Sequence, residues 1–209
     1  MAAMVTANTT CAERHIRALG LAKECAALGA RIRTIGYMTG MPYGQLGDLF
    51  FPDRQFAPRG RPPDSPDWYH NANLLNRAEA SIVVSLYRRI RELGFGPAES
   101  LVAGYKHYLA ACHLAPRINF DRAFDLASHM DGIWLVPAAS FSLVTCPVCT
   151  SQYVTSIGVH PASNQACPFC KLVKRYRSDP RIQSSFPVNA LPDLSAFQFG
   201  VLALSSQRK

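Results

Sequence analysis

With 209 residues, 48% hydrophobic and 17% charged, the chain has material for one filled core plus a smaller module, and its composition is that of a globular protein with a lean surface charge. Its 22 Lys and Arg against 14 Asp and Glu leave a net charge of +8 and a pI near 9.3, which favours a polyanionic partner; a basic but inert surface is the competing account. No apolar run approaches the roughly 18 residues of a membrane span, and the opening MAAMVTANTTCAERHIR lacks a basic stretch followed by an apolar core, so a soluble, cytoplasmic protein with no membrane partner is expected.

The first predicted element is one helix from about Cys11 to Tyr37. Leu21, Cys25, Leu28, Ile32 and Ile35 recur at helical spacing, with Ile16, Leu19, Ala22 and Ala26 on an adjoining stripe, so burial on two sides is expected, against the chain's own domain and a partner chain. Thr39-Gly40 breaks it, and Pro42 opens a short second helix through Phe50. Helix, tight turn, short helix permits a helix-turn-helix reading. Tyr43, Gln45 and Asp48 would then face outward and Leu46, Leu49 and Phe50 inward, with Gln45 able to meet an adenine edge and Arg31 and Arg33 holding the backbone. Plain packing of a helical hairpin explains the same pattern. Residues 51–67, FPDRQFAPRGRPPDSPD, hold five prolines, which exclude regular structure and predict an extended strap carrying Arg54, Arg59 and Arg61 toward phosphates or a neighbouring subunit.

Three helices are predicted next. Trp68 to Leu93 puts Trp68, Ala72, Leu75, Ile82, Leu86, Ile90 and Leu93 on one face and leaves Arg88, Arg89 and Arg91 solvated. Gly96-Pro97 opens a second with Leu101, Val102, Tyr105, Tyr108, Leu109 and Cys112 inward, and Asn119 caps a third that runs from Phe120 to Asp131 and stops at Gly132. After Gly132 the period turns to alternation: Ile133–Val136, Phe141–Thr145 and Gln152–Ser156 read as short strands, the last two a hairpin.

Residues 146–170, CPVCTSQYVTSIGVHPASNQACPFC, carry the chemistry. Two Cys-x-x-Cys knuckles, Cys146/Cys149 and Cys167/Cys170, have 17 residues between them and supply the four thiolates of a closed tetrahedral zinc site. A redox motif would be expected once and near a βαβ pattern, two disulfides would need an oxidising compartment, and an iron-sulfur cluster is less suited to this even pairing. With all four positions held by protein, the one zinc ion builds structure and leaves no open position to activate water. His160, between the knuckles, reads as a loop residue. Lys171, Lys174, Arg175 and Arg177 follow at once and can offset the site's negative charge or meet a phosphate. Cys11, Cys25 and Cys112 read as small buried hydrophobes. Beyond Arg181 the sequence is rich in Ser, Gln and Pro, with an apolar interlude at Phe197 to Leu204, and reads as a flexible tail.

These segments together resemble the FlhC family, the zinc-containing subunit of the bacterial flagellar master transcription activator. The likeness rests on LGAR at Leu28 to Arg31, on Gly60, Pro63, Ser65, Asp67 and Trp68 around the strap, on YKHYL at Tyr105 to Leu109, on RAF at Arg122 to Phe124, and on the two knuckles; it covers about residues 15–178. The resemblance implies zinc on Cys146, Cys149, Cys167 and Cys170, DNA binding, a cytoplasmic location, and a hetero-oligomer with FlhD that contains two copies of this chain. Promoter DNA and RNA polymerase are the further partners it implies.

The expected fold is mainly α: a helical domain over residues 1–132 that begins helix-turn-helix-like and includes the 51–67 strap, a zinc-ribbon-like module of short strands over 133–180, and the tail over 181–209. The expected function is a DNA-binding activator subunit for motility genes. A zinc-stapled adaptor that binds only protein is the alternative. An enzyme is disfavoured, because no open metal site, no Ser-His-Asp order and no H-E-x-x-H helix occurs, and the neighbours Cys112 and His113 would point about 100° apart on a helix.

Overall fold

The computed structural model describes residues 10–53, 55, 57–60, 67–112, 115–158 and 167–185; the expectations for Arg54, Arg61, His160 and the sequence from Phe186 onward lie outside them. The fold is mainly α with one small antiparallel sheet, as expected. Among the described residues no helix is long and apolar enough to cross a membrane.

Helix α1, Cys11–Ala27, starts from a capping box in which the Thr10 hydroxyl accepts from the Glu13 N–H at 3.2 Å and the Glu13 carboxylate accepts from the Thr10 N–H at 2.7 Å. It ends where Gly29 takes φ 78°, with the Gly29 N–H on the Ala26 carbonyl and the Ala30 N–H on the Cys25 carbonyl, both at 3.0 Å. Only glycine enters that left-handed conformation without a Cβ penalty. The single helix expected over Cys11–Tyr37 is therefore two, the second being α2, Ile32–Thr39. Ala22 and Cys25 of α1 and Ile35 and Met38 of α2 are buried, whereas Ile16 is 68% exposed and Cys11 is exposed rather than a buried hydrophobe.

Helix α3, Tyr43–Phe50, follows the expected break and buries Leu46 fully. Leu49 is 51% exposed instead of inward. An eight-residue helix packs by one narrow stripe, and a residue three positions on lies about 60° off it. The described part of the strap holds no helix or strand up to α4, Asp67–His70. The helix expected from Trp68 to Leu93 is interrupted here, because the Asn73 side chain accepts from the Asn76 N–H at 2.9 Å and starts α5, Leu74–Glu92, afresh. The buried stripe of α5 is Ala80, Val83, Val84 and Tyr87, while Leu93 is exposed. α5 is wrapped on several sides, so its apolar residues do not single out one face.

Against it lies α6, Pro97–Ala111, with Gly104 at the crossing: a Cβ there would stand 3.0 Å from the Tyr87 nitrogen and 3.2 Å from its Cα. Gly104→Ala is expected to destabilise the fold by about 1–2 kcal/mol, the overpacking outweighing the gain in helix propensity. A urea midpoint equal to or above that of the parent would show that the two helices separate freely.

Helix α7, Phe120–Asp131, is capped by Asn119, which accepts from the Arg122 N–H at 2.9 Å, and stops at Gly132, both as expected. Its last residue gathers three donors: the Tyr87 hydroxyl at 2.6 Å and the Arg88 and Arg91 guanidinium groups at 3.1 Å each all reach the Asp131 carboxylate. Arg88 and Arg91 are thus paired rather than solvated, while Arg89 stays exposed. Residues 133–136 form turns and not a strand, because Trp134 takes φ 58° and stacks its ring 4.9 Å from that of Phe124.

Strands β1, Phe141–Thr145, and β2, Gln152–Ser156, pair antiparallel from Phe141↔Ser156 to Thr145↔Gln152, the expected hairpin. The hairpin is held to the helices through Val154, whose N–H donates to the Ser81 hydroxyl at 3.2 Å and whose carbonyl accepts from the Tyr69 hydroxyl at 2.7 Å. Phe141 and Val154 belong to the same buried cluster as α5, α6 and α7. Two helices unforeseen in the sequence complete the described chain: α8, Pro168–Arg175, and α9, Pro180–Ser185, which carries regular structure past Arg181 and buries Ile182.

Candidate metal centre

The first knuckle sits at the tip of the β1–β2 hairpin. The Cys146 N–H donates to the Ser151 carbonyl at 3.0 Å and the Thr150 N–H to the Cys146 carbonyl at 2.9 Å, closing a loop so tight that Thr150 takes φ 60°. A β-branched residue in the left-handed region costs about 1–2 kcal/mol. The loop leaves the Cys149 sulfur within 4.8 Å of the Cys146 sulfur. The second knuckle is built on a helix start: Cys167 is the N-cap of α8, Pro168 follows at its first position and Cys170 completes the first turn. Negative sulfur at that end is favoured by the unpaired N–H groups and the helix dipole.

These two devices bring the four sulfurs within 4.8 Å of one another. Cys146 and Cys170 are 3.7 Å apart at sulfur, as are Cys149 and Cys167, and all four are free thiols. Cys146 and Cys167 are buried, and Tyr153, Val144 and Phe169 pack around the cluster. The Ser151 N–H and hydroxyl beside Cys149 bring that thiol down to about 6. Hydrogen bonding to the Cys149 sulfur and then burial hold Cys170 up at about 12. Burial likewise raises Cys167. Thiols this close cannot ionise together on their own; a cation at their centre is what lets all four become thiolates, and this donor set suits a soft or borderline metal ion.

The other residues singled out in the sequence lie in two groups. Arg31 is turned into the fold: its Nη1 donates to the Asp121 carboxylate at 2.6 Å, its backbone N–H to the same group at 3.2 Å, and its Nε and Nη2 to the Arg59 carbonyl at 3.3 and 3.1 Å. Arg33 is exposed, with its guanidinium against Tyr37, and Tyr43 is half exposed with its ring beside Gly36. Gln45 is half-buried, and Arg59, although exposed, is tied by its carbonyl to Arg31. The second group is on and just after α8. Lys171, Lys174 and Arg175 fall within about 100° of one another around that helix, opposite Phe169, Leu172, Val173 and Tyr176, and Arg177 is exposed in the turn beyond. One residue that sequence reasoning missed is Asp121, the partner that fixes Arg31. Nothing in the local sequence marks it, because the two lie 90 positions apart.

A family profile described as "Flagellar transcriptional activator (FlhC)" matches residues 9–182. The chain belongs to the FlhC family. The resemblance read from the sequence is thereby borne out, and the match takes in both knuckles, the hairpin and every helix from α1 to α8. FlhC is a family of transcriptional activators and not of enzymes, in keeping with a cysteine cluster whose four donors would close the coordination sphere of a tetrahedral ion. No curated protein matches the chain.

Proposed function

We propose that this chain is a cytoplasmic, zinc-containing, DNA-binding subunit that works with FlhD to switch on flagellar genes, two copies of it entering the hetero-oligomer and RNA polymerase being recruited to the promoter. The metal is zinc, held by Cys146, Cys149, Cys167 and Cys170. A tetrahedral Zn–S bond of about 2.3 Å sets sulfurs roughly 3.8 Å apart, close to the separations of Cys146 from Cys170 and of Cys149 from Cys167. Bound there, zinc supplies a cross-link between hairpin tip and α8, not chemistry on a substrate.

The observation that carries the DNA reading is α8 itself. It begins at two of the four cysteines and holds Lys171, Lys174 and Arg175 together on the side away from its apolar contacts, with Arg177 next to them. A helix pinned at one end presents its charges in fixed positions, which is what phosphate contacts need. Arg33, Tyr43 and Gln45 on α2 and α3, with the strap residues Arg54, Arg59 and Arg61, form a second stretch able to meet DNA; Arg31 serves it by anchoring Arg59. The helical part, residues 1–132, would then set the spacing between the copies, and residues 133–180 hold the metal.

The test is salt dependence. The affinity of the complex with FlhD for a flagellar promoter fragment should fall as a power of salt concentration, with a slope of about −0.9 per phosphate contact. Changing Lys174, Arg175 and Arg177 to Gln should weaken binding across sequences and flatten the slope by roughly one unit per charge removed. A protein that retains its fold and its slope would place the phosphate contacts elsewhere, and a salt-insensitive affinity, or no shift of DNA at all, would favour the adaptor that binds only protein.

A further inference from the structure

Between α5, α8 and α9 lies an apolar groove of about 520 Å³, on the side of α8 away from Lys171, Lys174 and Arg175. Ala78 and Ile82 form its α5 wall, Phe169 and Leu172 its α8 wall, and Ile182 closes the end nearest α9. Val173, on its lip, is 77% exposed. A walled apolar trough with an open aliphatic lip is a surface that binds something.

Two observations indicate what covers it. The chain leaves α9 at the groove's own rim: Ile182 is part of the wall, and three residues later Ser185, whose hydroxyl accepts from Arg117 Nη2 at 2.7 Å, ends the helix. The sequence that follows is too apolar for a solvated tail, since residues 186–209 include Phe197, Phe199, Val201, Leu202 and Leu204 against only three charges, Asp193, Arg208 and Lys209. The match to the FlhC family covers residues 9–182 and does not extend over this segment.

We propose that Phe197–Leu204 folds back onto its own chain and seats in the groove between α5 and α8. Reach is no obstacle: the 12 residues from Ser185 to Phe197 span up to about 40 Å when extended. Phe197, Phe199 and Val201 alternate with Gln198 and Gly200, so an extended segment turns one apolar edge to the trough and a polar or bare edge to water. The seated segment lies on the side of α8 away from Lys171, Lys174 and Arg175 and leaves them open.

A photo-crosslinking amino acid, benzoylphenylalanine, placed at the exposed position 173 of the full chain decides the matter. The adducts should map to residues 197–204 of the same chain, with a yield that does not change on dilution. Adducts on a second copy or on FlhD, or none on 197–204, would overturn the proposal. The full chain carrying both Phe197→Asp and Phe199→Asp gives a separate reading. Amide exchange over Leu172–Tyr176 should quicken about tenfold while α6 keeps its protection, and equal rates in parent and variant would refute seating in the groove.

Discussion

Zinc bound per chain should fall from about one to near zero in Cys149→Ser, and promoter binding should fall with it. Apparent contributions of structural zinc, about 10–16 kcal/mol, match or exceed the whole stability of an ordinary domain, so three thiolates and a hydroxyl are a poor substitute for four thiolates. The loss should be local. Phe141 and Val154 are buried with the helices, so the far-ultraviolet helical signal should survive while the hairpin tip and the start of α8 become open to exchange. Cys11→Ser serves as the control, for Cys11 is exposed on α1, outside the cluster, and its zinc content should be unchanged. Full zinc in Cys149→Ser, measured by metal analysis on folded protein, would remove that residue from the ligand set.

Asp121→Ala should destabilise the chain by about 3–5 kcal/mol, the usual consequence of removing one partner from a buried ionic pair. The Asp121 carboxylate, in the first turn of α7, accepts from the Arg31 guanidinium and backbone N–H and, at 2.5 Å, from the Thr34 hydroxyl. Its removal leaves a buried hydroxyl and a mostly buried guanidinium without their acceptor, and it loosens the Arg31 contact with the Arg59 carbonyl. Chemical denaturation gives the magnitude, and limited proteolysis at the strap reads the loosening. A loss below about 1 kcal/mol would mean that Arg31 and Thr34 find other acceptors.

What the sequence made legible follows from how local each signal is. Strict alternation and a knuckle between two short runs are enough to define the hairpin and its ends, and Asn119 with Gly132 brackets α7. The same kind of signal was present at Gly29 and at Asn73, yet apolar periodicity continues across both and argues for single long helices. In the fold the caps win, because a satisfied N–H or carbonyl group is decided within one turn while a stripe of apolar residues can be shared between two helices. The inward face of α5 could not be read, since α6, α7, the hairpin and α8 all pack on it and nearly every side finds apolar company. Helix α8 was hidden behind its basic residues. At the cysteine cluster the spacing was plain, whereas the left-handed turn at Thr150 carries no glycine or asparagine to announce it. The role of Arg31 was equally hidden, because its acceptor comes from a helix far along the chain.

The grip of the helices on Val154 has a consequence for assembly. A two-stranded sheet leaves backbone donors and acceptors along its outer margins, and such margins recruit strands from other molecules into mixed sheets and aggregates. At the middle of β2 both groups are already taken, the N–H by Ser81 and the carbonyl by Tyr69. An incoming strand would meet helix there instead of a vacant ladder. Other molecules that join this one at the middle of β2 must therefore do so by matching side chains, where shape and charge select the right subunit, and not by the indiscriminate hydrogen bonding of main chain to main chain.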